Sequence, residues 1–280
     1  MVVIKHKIHF FVKRKTMEIL FISAVAFLAA ILTFFSGFGL GTLLTPVFAL
    51  FFPVETAIAL TGVVHFGNNL FKLGLVAKHA NKAVLIKFGI PAVIASLAGA
   101  WILLQIADSL PWFSYSIGEH TFQVLPLKFI IAILLIIFAL FDLIPALGKI
   151  QFGPEKLVLG GILSGFFGGL SGHQGALRSA FLIKAGLSKE AFIGTAVVVS
   201  TFIDLSRLGI YSTRYSKLLE GDHLVSSSHI ALVLLVTIIA AISGAIIGNQ
   251  LLKKVTVDFL QYFVAVALMV IAVALGAGLI

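Results

Sequence analysis

No cysteine occurs anywhere in the chain, which removes disulfides, thiolate nucleophiles and iron–sulfur ligation from consideration. Charge is nearly as scarce: Asp, Glu, Lys and Arg make up 11% of the 280 residues, against about 25% in an ordinary soluble domain. That is too little polar material to coat a globule in water. The H-E-x-x-H, phosphate-loop and G-x-S-x-G patterns are also missing, so the chain reads as no enzyme and calls for no cofactor and no metal. Nor do short segments of alternating polarity announce a closed membrane barrel.

Long apolar runs are what the chain has instead. Hydrophobic residues make up 60% of it and the mean hydropathy is +1.15. Residues 56–77, 83–106, 126–147, 229–252 and 257–280 each reach the roughly 20 residues that cross a hydrocarbon core. A lipid-facing backbone must satisfy its own hydrogen bonds, so each is expected to be a helix. The fold class is therefore an all-α polytopic membrane protein, with 1–280 forming a single membrane domain.

Twenty Lys and Arg against 11 Asp and Glu give a formal charge of +9. The basic residues spread over loops and helix ends, apart from a cluster at Lys5, Lys7, Lys13, Arg14 and Lys15. Such spreading is what cationic loops beside anionic membrane lipids produce, and it gives no reason to expect a nucleic-acid partner. Residues 1–30 resemble a signal peptide, with a basic start and an apolar stretch. The apolar run continues past Ala30 through Phe35 into a glycine-rich segment without a polar cleavage region, so the segment is expected to be retained.

The chain also matches itself. Displaced by 135 residues, 36–74 lies over 171–209 without a gap. Ser36-Gly37 falls on Ser171-Gly172, Glu55 on Glu190, Val63-Val64 on Val198-Val199, Lys72 on Arg207 and Leu73-Gly74 on Leu208-Gly209. With a slightly larger displacement Gly99-Ala100 and Gln105 fall on Gly244-Ala245 and Gln250. Two Leu-rich helices match easily by chance, but this ungapped register of Ser-Gly, Glu and a basic residue implies duplication. The expected repeats are 18–148 and 155–280, each a glycine-broken first element followed by three transmembrane helices.

The breaks fall in Ser36–Gly41 and in Gly168–Gly175. The flanking pieces, 20–35 and 40–52, then 157–170 and 176–186, are mostly too short to span alone. Either each break interrupts one crossing, or it is the tip of a re-entrant hairpin. A hairpin plus three crossings is odd, so the halves would be inverted; an interrupted crossing plus three is even and would leave them parallel. The hairpin arrangement puts Lys78, Lys82, Lys87, Lys149, Lys156, Lys184, Lys189, Lys253 and Lys254 on one side, opposite a 107–124 loop that holds no Lys or Arg. The positive-inside tendency favours it, with only the N-terminal cluster on the wrong side.

Two sets of residues stand out as candidates for binding. Glycine runs usually serve close helix packing, and Gly99, Gly244 and Gly248 read that way. The runs at Ser36, Gly37, Gly39 and Gly41 and at Ser171, Gly172, His173, Gln174 and Gly175 differ, since polar residues join the glycines. Duplicated, glycine-interrupted segments at matching positions mark transport sites. The helices that follow carry stripes at helical spacing: His65, Asn68, Asn69 and Lys72 in one, Ser200, Asp204 and Arg207 in the other. Ionisable residues deep in an apolar helix face a cavity or a partner. Asp204 and Arg207 could simply pair at i,i+3, and Lys72 could snorkel to an interface. Arg178 falls in the first turn of the half-helix 176–186, where it repels the positive helix end unless an anion sits there.

Ser36-Gly-Phe-Gly-Leu-Gly followed by Thr45-Pro46 resembles the first-repeat signature of the TauE/SafE sulfite exporter family, also known as the four-toluene sulfonate uptake permeases. The segment Gly165–Phe181, running through Gly168-Gly-Leu-Ser-Gly-His-Gln-Gly-Ala-Leu-Arg178, looks like a bacterial branch of it. The resemblance covers about residues 18–280. It implies a multi-pass protein of the bacterial inner membrane that moves sulfite, thiosulfate, sulfonates or related small anions, with proton coupling proposed. His173-Gln174 and Arg178 replace a denser glycine run followed by proline, which bears on which anion is taken.

The function expected is thus a secondary transporter of small anions. In it Arg178, Arg207 and Lys72 hold charge, and His65, Asn69, His173 and Gln174 bond oxygens. Asp204 either tunes Arg207 or carries a coupling proton. An anion channel, a carboxylate carrier or a membrane scaffold without transport are the alternatives.

Overall fold

The computed structural model describes residues 2–36, 40–148, 150–214, 227–251 and 258–280. Ten principal helices follow in order. They are α1 Val2–Ser36, α2 Leu40–Ala49, α3 Val54–Val76, α4 Lys82–Ala107, α5 Pro126–Leu143, α6 Leu157–Ser171, α7 Gly175–Leu182, α8 Lys189–Ser212, α9 Ser227–Leu251 and α10 Asp258–Gly276. Three of them, α4, α8 and α9 (the last over Ser228–Gln250), are long and apolar enough to cross a membrane. α3 matches them at 23 residues, about 34 Å at 1.5 Å per residue.

Local chemistry sets the helix ends. The Ser188 side chain accepts from the Ala191 amide at 3.2 Å and opens α8, with Glu190 in its first turn. The Asn81 side chain accepts from the Val84 amide at 3.1 Å and opens α4. Leu85–Gly89 then forms one π-helical turn before the regular helix resumes. α5 ends at Leu143 because Ile144 precedes Pro145 and is extended, at φ −102 and ψ 105.

α1 and α2 fold back on one another, which brings Phe21 to Phe51 with ring centroids 6.1 Å apart. α6 and α7 do the same: Phe152, just before α6, donates its amide to the Ala180 carbonyl at 3.0 Å and stacks on Phe181 at 4.3 Å. Around these two hairpins α1 packs on α9, α6 on α4, α3 on α8 and α5 on α10.

Small residues make the closest contacts. Gly161, Gly165 and Gly169, four apart on α6, sit over the carbonyls of Phe88, Ala92 and Ser96, four apart on α4. A Cβ on any of the three would collide with that backbone. Gly99 on α4 faces the Phe166 carbonyl in the same way, and Gly244 and Gly248 on α9 face those of Phe27 and Ile31. Large apolar side chains cover the outside instead, among them Ile94 at 64% and Val270 at 66% exposure. An exterior of that kind belongs in lipid.

Four expectations shift. The second break is narrower than 168–175: α6 continues through Gly168 to Ser171, since Gly169 serves the contact with α4. α1 is continuous from Val2 and so longer than the 20–35 piece. The run 126–147 is broken at Ile144, giving a helix to Leu143 and a short helical piece Pro145–Gly148. Finally, the 107–124 loop holds a β-hairpin, β1 Phe113–Ile117 paired antiparallel with β2 His120–Val124, so the fold is not purely helical. Gly118 at φ +62 supplies its turn. Tyr115 on this hairpin donates to the Ala277 carbonyl at 2.6 Å, tying it to the end of α10. Of the residues singled out in the sequence, Gly37, Gly39, Lys149, Lys253 and Lys254 lie outside the described residues.

Candidate functional site

The helical spacing that puts His65, Asn69 and Lys72 on one face of α3 turns that face toward α8. There Asp204 is the centre of a closed network. Its Oδ1 accepts from Arg207 Nη2 at 2.8 Å and from Arg207 Nε at 3.1 Å. Its Oδ2 accepts from Asn69 Nδ2 at 2.9 Å and lies 2.5 Å from His65 Nδ1. An acceptor-only carboxylate at that distance requires the proton on Nδ1, so His65 donates. Asp204 and Arg207 are fully buried and His65 is 5% exposed.

The break between α6 and α7 comes to the same place. Gly172 caps α6 in the left-handed region at φ +81, its amide donating to the Gly168 carbonyl at 3.0 Å. Glycine is needed here twice over. The backbone angle disfavours any side chain, and a Cβ would stand 2.9 Å from Arg207 Nη1. The first turn of α2 meets the second break at this point: a Cβ on Gly41 would stand 3.0 Å from the Gly172 carbonyl oxygen.

His173 is held rather than free, its Nδ1 2.9 Å from the Ser171 carbonyl and its ring stacked on Phe138 at 5.5 Å. Gln174 precedes Gly175, the first residue of α7, and its carbonyl accepts from Ser164 at 3.2 Å. Arg178, one turn into α7, donates to Gln174 Oε1 at 3.3 Å and to the Ser200 hydroxyl on α8. Lys72 lies within electrostatic range of Arg178. Ser171 closes α6, with its hydroxyl donating to the Phe167 carbonyl at 3.0 Å. Ser36 is the last residue of α1.

Two properties of this region are unusual. First, several of its buried polar atoms have no hydrogen-bond partner among the described residues: Arg207 Nη1, Thr45 Oγ1, Thr61 Oγ1, Gln174 Nε2 and both amide atoms of Asn68. Buried polar groups are nearly always paired. Here Arg207 Nη1 and Thr45 Oγ1 both border the space beside Gly172, and Thr61 flanks Gly41. Second, basic side chains outnumber acidic ones in the described interior: Lys72, Arg178 and Arg207 are buried, and Asp204 is the one carboxylate buried among the described residues.

The structure thus gathers His65, Asn69, Asp204 and Arg207 in one network, Gly41 and Gly172 beside it, and Gln174 with Arg178 next to Ser200. The sequence reading passed over Thr61, Gly62 and Tyr211. Thr61 was visible as the residue four before His65 on the same face. Gly62 lets the guanidinium lie against α3, since a Cβ there would be 3.3 Å from Arg207 Cζ. Tyr211, four after Arg207, donates to the Gly169 carbonyl and pins α8 to α6.

The family model for the sulfite exporter TauE/SafE matches residues 22–275, and the chain belongs to that family. No curated protein matches the chain. The family is one of membrane transporters, which agrees with the apolar helices and their lipid-compatible exterior.

Proposed function

We propose that this member of the sulfite exporter TauE/SafE family is a secondary carrier of a small sulfur-containing oxyanion in the bacterial inner membrane. The anion would sit where the first turn of α2 meets the second break, between Gly41, Gly172, Thr45 and Arg207, with Arg178 and Lys72 adding charge. The observation that carries this reading is the pair of unsatisfied groups beside the second break: Arg207 Nη1 and Thr45 Oγ1 border the space next to Gly172 and have no hydrogen-bond partner among the described residues. An oxyanion supplies the missing acceptors.

The halves 18–148 and 155–280 are proposed to be inverted copies. The helix pairings support a two-fold relation between them: α1 on α9 answers α6 on α4, α3 on α9 answers α8 on α4, and α3–α8 and α5–α10 pair equivalent members. A first element that folds back on itself in each half, α1 on α2 and α6 on α7, is what favours inversion. With the site buried from both sides, release on either face requires one hairpin to move against its surroundings. Asp204 is engaged by four contacts and acts to fix Arg207.

The test is flux of labelled sulfite or thiosulfate into proteoliposomes. Saturable uptake that is abolished in Arg207→Gln supports the carrier. Uptake that never saturates indicates a channel, and retained flux with unchanged substrate affinity in Arg207→Gln removes the site assignment. Purified, folded protein that moves no anion leaves only a scaffold role.

A further inference from the structure

α4 and α8 start side by side. The Asn81 amide, just before α4, donates to Thr195 Oγ1 in the second turn of α8 at 2.9 Å, and a Cβ on Gly194 would stand 2.5 Å from the Val76 carbonyl oxygen. Further along, the two helices leave an apolar groove of about 300 Å³ between them. Gly89 and Val199 are buried and form its floor, where a Cβ on Gly89 would be 3.3 Å from Val199 Cγ2. Ile90, Ile94 and Phe202 stand at its rim, exposed at 54%, 64% and 52%. The groove therefore opens outward, on the apolar exterior of the protein. On α8 it uses Val198, Val199 and Phe202, whereas Ser200, Asp204 and Arg207 fall on the other side of the same helix. It is separate from the candidate anion site.

A second observation lies at one end of the groove. Leu85 and Gly89, the two ends of the π-helical turn, both line it, and Lys87 between them is exposed. Lys78 and Lys82 are exposed just before that turn, and no Asp or Glu occurs from Ala77 through Ile94. Glu190, within electrostatic range of His79, is set at this end against the three lysines. Ile90 lies eight residues beyond Lys82, and Val198 nine beyond Lys189, about 12–14 Å along each helix. Helix ends in the headgroup layer therefore put the groove at the depth of acyl chains.

We infer that this groove holds an acyl chain of an anionic phospholipid whose headgroup phosphate is bound by Lys82 and Lys87. The chain buries the apolar floor, and the phosphate meets basic side chains at the one end where the groove has them. A neutral lipid would fill the groove without engaging the lysines, and free phosphate would leave it uncovered.

Quenching of a single tryptophan by brominated lipid tests this. The chain has two tryptophans, so Phe202→Trp in a Trp101→Phe, Trp112→Phe background puts a lone fluorophore at the rim. The protein is reconstituted in phosphatidylcholine vesicles and titrated with phosphatidylglycerol or phosphatidylcholine brominated on the acyl chains. Phosphatidylglycerol should quench at a mole fraction at least about fivefold lower, the effect of one lysine beside an anionic headgroup. Lys82→Gln with Lys87→Gln should erase that preference. Trp101, 57% exposed toward the far end of α4, is the comparison when it is kept as the lone tryptophan, and should show no preference. Ile94→Trp provides a second reporter should Phe202→Trp fail to fold. Equal quenching by the two lipids at the groove overturns the inference, as does a preference that Trp101 shares or that survives loss of both lysines. Quenching by neither lipid means that protein, such as a second copy of this chain, covers the groove, and overturns it too.

Discussion

Arg207 gives two of its nitrogens to a single oxygen of Asp204, at 2.8 and 3.1 Å, and turns the third toward Gly172. The carboxylate therefore holds the guanidinium in one orientation, and that orientation presents a donor at the second break. His65 and Asn69 brace the carboxylate from α3. Orientation, and not charge alone, is what the pair provides.

Removing the carboxylate should therefore be costly. Asp204→Ala leaves Arg207 buried with no counter-charge on its own helix, a change worth roughly 3–5 kcal/mol. Thermal unfolding in detergent should show a large fall in Tm. Replacing both partners, as in Asp204→Leu with Arg207→Met, should restore much of the stability but no flux. A single variant as stable as the wild type would mean that the pair does not hold α8 in place.

Arg207→Lys keeps the charge and loses the geometry. A lysine ammonium cannot hold Asp204 with two nitrogens and still aim a third at Gly172. Apparent affinity for the transported anion should fall at least about tenfold, with a smaller loss of Tm than in Asp204→Ala. Wild-type affinity in this variant would show that a point charge suffices.

Two glycines with similar backbones separate strain from crowding. Gly172 and Gly186 both have positive φ, +81 and +71, but only Gly172 has neighbours where a Cβ would go. Gly186→Ala should cost about 1–2 kcal/mol of backbone strain and leave uptake alone. Gly172→Ala should carry that strain and also displace Arg207 Nη1, abolishing uptake. Equal uptake in the two variants would show that the space beside Gly172 is not used.

The glycine seam between α4 and α6 predicts a second contrast. Gly165→Ala drives a methyl into the Ala92 carbonyl and Gly169→Ala into that of Ser96, so both should lower Tm and yield of folded protein. Gly74 and Gly209 have nothing within 4 Å. Alanine at either should be neutral, or stabilising by up to about 1 kcal/mol from helix propensity. Melting curves of the four variants decide the matter.

Much of this was legible in the sequence because a membrane writes its constraint into composition. Runs long enough to span, stripes at spacings of three and four, and glycines beside polar residues all have one physical cause each. Lys72, Asp204 and Arg207 were visible because an ionisable side chain in an apolar run is costly, even though snorkelling or an i,i+3 pair could also account for them. Thr45 and Thr61 were not, since a threonine pairs as readily with its own helix as with a neighbour. The partners of α6 were hidden for a related reason: Gly161, Gly165 and Gly169 serve packing, while Gly172, in the same run, serves a turn. Composition treats them alike, and only the position of α4 distinguishes them. The β-hairpin escaped notice because five-residue strands carry little pattern. Its alternation, Phe113, Tyr115 and Ile117 against Ser114 and Ser116, is clear once the turn at Gly118 is known.

Where Gly41 meets Gly172, α2 and the second break approach through main chain, with Arg207, Thr45 and Thr61 beside them. In the proposed carrier, passage would displace a whole hairpin against the surrounding helices. The slow step of transport would then be set by how two packed glycine surfaces slide, and lipids or temperature that stiffen that sliding should slow turnover without altering how tightly the anion is held.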